Sequence, residues 1–126
     1  MDLTTVSAFA FVAVTLAAIA FQLALAAGAP WGAYAMGGKY PGRFPPPLRV
    51  TAVVQAVVLA LLAAVVAARA GLLAQPVAPW LIWVVVAFSG LSLVMNVVSP
   101  SVGERRLWVP VAGVMLAASS IVALVA

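Results

Sequence analysis

Residues 3–27 read LTTVSAFAFVAVTLAAIAFQLALAA, a run with no charged side chain. As a helix rising 1.5 Å per residue it spans about 37 Å, more than a bilayer core about 30 Å thick. In hydrocarbon every backbone N–H and C=O must find a partner within the protein, which leaves helices and closed barrels. The run lacks the alternation of a barrel strand, so it reads as a transmembrane helix. Ala24-Leu25-Ala26 resembles a signal-peptide cleavage site. However, Asp2 precedes the run, no Lys or Arg does, and the run is too long for a signal core. A retained helix is expected.

Working outward, three further apolar runs follow, at 50–68, 79–98 and 107–126. Each has about the 20 residues a crossing helix needs. Turn residues mark their ends. Gly28 and Pro30 follow the first run, and Pro45, Pro46 and Pro47 precede the second. Gly71 ends the second, Pro79 opens the third, Pro100 follows it, and Pro110 is read into the first turn of the fourth. A proline is tolerated there because the first N–H groups of a helix have no intrahelical acceptor. The expected fold is therefore all-α: one integral membrane domain over 1–126, a four-helix transmembrane bundle with loops at 28–49 and 99–106.

Composition agrees. Of the 126 residues, 67% are hydrophobic and 6% charged, against about 25% charged in soluble domains. Without cysteine there is no disulfide, thiol nucleophile or thiolate metal ligand, and without histidine the commonest general base and metal ligand is missing. Asp2 and Glu104 are the only acids. No metal site and no cofactor are expected.

The net charge of +4 reflects membrane orientation rather than nucleic acid. Lys39, Arg43, Arg49, Arg105 and Arg106 fall on one side of a four-span topology and Arg69 alone on the other. The positive-inside rule then makes loops 1 and 3 cytoplasmic and puts both termini outside. Trp31 and Trp108 mark the inner interface, and Trp80 and Trp83 the outer one.

Small residues let membrane helices approach closely. Ala10, Ala13, Ala17, Ala20, Ala24 and Ala27 repeat at heptad spacing on the first helix. Ala52, Ala56, Ala60, Ala63 and Ala67 do so on the second, and Gly113, Ala117 and Ser120 offer a shorter row on the fourth. These seams predict close left-handed packing. Gln22 lies opposite the first seam, which directs it towards lipid or a second protomer and motivates a homo-oligomer or a membrane-protein partner.

Ser89, Ser92, Asn96 and Ser99 share one face of the third helix. Gln22, Gln55 and Asn96 all fall in the cytoplasmic half. Polar groups at that depth seek partners. Interhelical hydrogen bonding is the plainer expectation, and a polar pocket open to the cytoplasm the sharper one.

Residues 28–48, GAPWGAYAMGGKYPGRFPPPL, are too aromatic, basic and glycine-rich for a plain connector. Trp31, Tyr34, Lys39 and Arg43 are candidates for headgroup contact. Residues 33–40 fail as a phosphate-binding P-loop, because Ala33 and Tyr40 stand where Gly and Ser or Thr are required. In loop 3, Ser101 and Glu104 have capping-box spacing, and Glu104 is a candidate partner for Arg49 or Arg43. Arg105, Arg106 and Trp108 complete that group.

The expected function is a non-enzymatic membrane component that binds a partner protein or lipid through its cytoplasmic loops. An oligomeric channel or transporter with its site in the cytoplasmic half is the alternative. Proton-coupled export through a carboxylate in the first helix is not supported, since no acid follows Asp2 there. A headgroup-modifying enzyme ranks last, because no nucleophile–base pair is visible.

Overall fold

A computed structural model describes all 126 residues. It contains four α-helices and no strand. These are α1 (Leu3–Ala27), α2 (Pro46–Arg69), α3 (Leu81–Val97) and α4 (Val102–Val125), with two short 3-10 turns between α1 and α2. Three helices are long and apolar enough to cross a membrane; α3, with 17 residues, is shorter.

The ends follow from local chemistry. Asp2 caps α1 by accepting the Thr5 N–H at 2.8 Å, and that bond holds its carboxyl below the usual range. Gly28 closes α1 in the left-handed region, φ 102°, and its N–H reaches the Ala24 and Leu25 carbonyls. α2 starts earlier than its apolar run, because Pro46 and Pro47 fit the first turn. α4 also starts early. Ser101 caps it by accepting the Glu104 N–H at 3.1 Å, so Pro110 lies inside the helix rather than in its first turn. Having no N–H, Pro110 leaves the carbonyl of Arg106 without its intrahelical donor. α3 begins two residues after Pro79, beyond a turn closed by the Leu81 N–H and the Ala78 carbonyl.

α1 packs along both α2 and α4, and α3 packs along α4, while α2 and α3 meet at only a few residues. The bundle is thus open on one side. Its outer surface is apolar: Leu16, Leu23, Val54, Val57, Leu61, Val94 and Leu124 are exposed. Water would penalise so continuous an apolar surface, and hydrocarbon does not.

The main core lies at the end remote from loop 1. Phe11, Val66, Ile82, Val85 and Val122 are fully enclosed there. A second cluster at the loop-1 end joins Phe21, Leu25, Ala52 and Phe44, the last contributed by loop 1 itself.

The alanine seams fare differently. On α2 the row packs in part: Ala52, Ala56 and Ala63 are buried, Ala67 is half-buried and Ala60 is exposed. On α1 the alanine row points outward: Ala13, Ala17, Ala20 and Ala27 are exposed. The buried face carries Ser7, Ala8, Phe11, Thr15, Ala18, Phe21 and Leu25 instead. Larger side chains fill the groove between α2 and α4 better than a row of methyl groups, so composition misled the seam reading here. On α4 the buried face is Ala112, Met115, Ala118, Ser119 and Val122, one residue round from the expected row.

Candidate ligand cavity

Loop 1 is a folded cap rather than a connector. Its backbone turns back on itself through the Gly32 N–H, which donates to the Gly42 carbonyl at 2.8 Å. Three side chains of the 99–108 region then grip its main chain. Ser101 Oγ donates to the Ala33 carbonyl at 2.7 Å, and Trp108 Nε1 donates to the Tyr34 carbonyl at 2.8 Å. Glu104 Oε2 accepts the Gly37 N–H at 2.9 Å. Gly37 has φ 70°, a conformation that costs glycine little and presents its N–H to the carboxylate. Beneath the loop, Phe21 meets Trp108 edge-on at 4.8 Å.

Under this cap lies a cavity of about 330 Å³, walled by all four helices and loop 1. This is within the range of about 300–1,000 Å³ common for small-molecule sites. Ala18, Ala52 and Ala112 supply little bulk at its wall, which leaves the space. Phe21, Leu59, Phe88 and Met115 make it mainly apolar. Its polar groups are Gln22, Thr51, Gln55, Ser92, Asn96 and Glu104. The open side lies between α2 and α3. There Gln55 is exposed, and Leu91 and Met95 are 63% and 61% exposed.

Gln22, Gln55, Ser92 and Asn96 all line this cavity. Gln22 faces this cavity within the protomer, which corrects the expectation of lipid or a second protomer, because the alanine row of α1 points outward. Interhelical bonding among the amides is not what the structure builds. Asn96 Nδ2 donates to the Ser92 carbonyl of its own helix at 2.7 Å. Ser99 is buried outside the cavity, where its Oγ accepts the Ser101 N–H.

Of the loop candidates, Tyr34, Glu104 and Trp108 line the cavity. Lys39, Arg43, Arg106 and Trp31 are exposed and do not. Arg105 donates to the Ser99 carbonyl. Arg49 is not the partner of Glu104. Its Nε donates to the Phe44 carbonyl at 2.8 Å, and its guanidinium lies beside Gly28, at the C-terminal end of α1. The helix dipole favours a cation there. The capping box is likewise only half formed, since the Glu104 carboxylate serves loop 1.

No family model, curated protein or solved structure matches this chain. The functional reading therefore rests on the chemistry of the cavity.

Sequence reasoning missed Met36 and Phe44. Met36 lines the cavity from a left-handed backbone, φ 51°, which is uncommon for a residue with a side chain. Only the glycines around it hinted at such a turn.

Ser101 does two jobs, so Ser101→Ala should lose both a helix cap and a loop anchor. The expected destabilisation is about 1–2 kcal/mol. A shift of the unfolding midpoint in mixed micelles would measure it, and Ser120→Ala on the same helix should leave the midpoint nearly unchanged.

Proposed function

We propose that this chain is a non-enzymatic membrane protein that binds a small amphipathic molecule taken from the bilayer. The observation that carries the reading is the cavity between α2 and α3, apolar over most of its wall, with its amides and one carboxylate gathered within it. A lateral opening flanked by exposed Leu91 and Met95 admits a ligand from lipid without passage through water. The apolar wall suits a chain or ring, and the amides suit its polar end. The charge bias supports a cytoplasmic side for loop 1 and the turn before α4, and on that reading the polar end is held in the inner half of the bilayer.

A transport route through a single protomer finds less support. Beyond the cavity the bundle is closed by Phe11, Leu62, Val66, Ile82 and Val85, all buried. Basic side chains at the surface of loop 1 remain suited to anionic headgroups, as an orienting contact rather than the site.

Ala18→Phe tests the reading. Ala18 is buried and lines the cavity, so a ring there occupies the ligand space. Wild-type protein purified in mild detergent should carry a bound amphiphile detectable by native mass spectrometry. The variant should retain at least about tenfold less, a change of about 1.4 kcal/mol, with unchanged helix content. Equal retention by both proteins would defeat the proposal.

A further inference from the structure

Building on that reading, we infer that the cavity takes a monocationic amphiphile, a protonated amine on an apolar chain. Glu104 is the only charged residue on the cavity wall. Its side chain is 8% exposed. One oxygen, Oε2, is held by the Gly37 N–H; the other, Oε1, takes no donor from the protein and is still open to a molecule in the cavity. A carboxylate so covered is costly unless an opposite charge or further donors reach it.

The chain's own cations are engaged or turned elsewhere. Arg49 and Arg105 donate to the Phe44 and Ser99 carbonyls, and Lys39, Arg43 and Arg106 are exposed away from the cavity. An ammonium group supplies both the missing charge and N–H donors. The side-chain carbonyls of Gln22 and Gln55, which line the same cavity from α1 and α2, are acceptors for its remaining N–H groups. A head that is purely anionic, a carboxylate or a sulfate, would meet Glu104 with no cation on the wall to offset it, and is disfavoured in the cavity.

The test compares decylamine, decanol and decanoate, three heads on one chain length, by titration calorimetry with the full chain in nonionic micelles. Decylamine should bind wild-type protein at least about tenfold more tightly than the other two, as expected for a charge-assisted hydrogen bond. Glu104→Gln should erase that preference. Ser120→Ala, on the same helix but outside the cavity lining, should preserve it. Decanoate binding as well as decylamine would overturn the cation assignment and leave the amphiphile reading standing. A preference that survives in Glu104→Gln would also overturn the assignment. Failure of all three to bind wild-type protein above the Ala18→Phe background would overturn both readings.

Discussion

Gly32→Ala is expected to unseat loop 1 while leaving the four helices in place. A Cβ at Gly32 would lie 1.8 Å from the Tyr40 carbonyl oxygen and 2.7 Å from that of Gly42. Both are backbone atoms, so no side-chain rotation relieves the overlap. The same approach brings the Gly32 N–H to the Gly42 carbonyl, and the substitution must break that closure. Overpacking of this kind costs about 3 kcal/mol or more. The grip of Ser101, Glu104 and Trp108 on the loop consists of hydrogen bonds of about 1 kcal/mol each, somewhat more at the charged carboxylate. The two are of similar size, so the loop opens rather than the bundle unfolding. Trypsin cleavage after Lys39 and Arg43 should accelerate tenfold or more, as it follows the open population, with helical circular dichroism unchanged. Gly42→Ala is the control. Gly42 has φ 81° but nothing within 4 Å of an added Cβ, so only backbone strain of about 1 kcal/mol is added. Equal cleavage of Gly32→Ala and wild type would show that the loop is not closed as described.

Phe11→Ala should be the most damaging core substitution. The ring is fully enclosed at the centre of the larger apolar cluster. In water a buried Phe→Ala change costs about 3–5 kcal/mol, part of it transfer and part cavity. In lipid the transfer part shrinks, because hydrocarbon surrounds the unpacked helix as well, and lost dispersion contacts dominate. The expected loss is therefore near the low end, about 3 kcal/mol. Phe9, two residues earlier, is 50% exposed on the outward face. Phe9→Ala should stay within about 0.5 kcal/mol. Unfolding of each variant in detergent mixtures would measure both, and similar losses would contradict the orientation of α1.

How far the sequence carried the fold differs from helix to helix. α1 runs over the uncharged stretch itself, since both of its ends coincide with a cap residue and a glycine. α2 and α4 extend past their apolar runs because helices continue through prolines and charges wherever capping permits. Charge-free length marks the lipid boundary, and hydrogen bonding marks the helix boundary. Rotation about the helix axis was less legible. With alanine so common, a stripe of methyl groups appears on several faces, and the buried face of α1 was decided by Phe11, Phe21 and Leu25 instead.

The site divides in the same way. Gln22, Gln55, Ser92 and Asn96 stood out because amides and hydroxyls are rare in such runs, and they do meet. The small residues that make room for a ligand, Ala18, Ala52 and Ala112, carry no signal apart from the packing around them. Nor does sequence spacing show that Glu104 turns towards Gly37, whose nearest recognisable partner by charge was an arginine.

The grip on loop 1 also sets an order of assembly. Its anchors join residues 67, 68 and 74 positions apart, so loop 1 is made well before Glu104 or Trp108 exists. Until α4 enters the bilayer, the loop has only its own turns, the Arg49 contact and the packing of Phe44 on α1 and α2 to hold it. The cavity wall closes last, by a step whose loop-closure entropy is offset only once the final helix is inserted. A nascent chain stopped before residue 101 would expose loop 1 to protease, and one released after α4 would protect it.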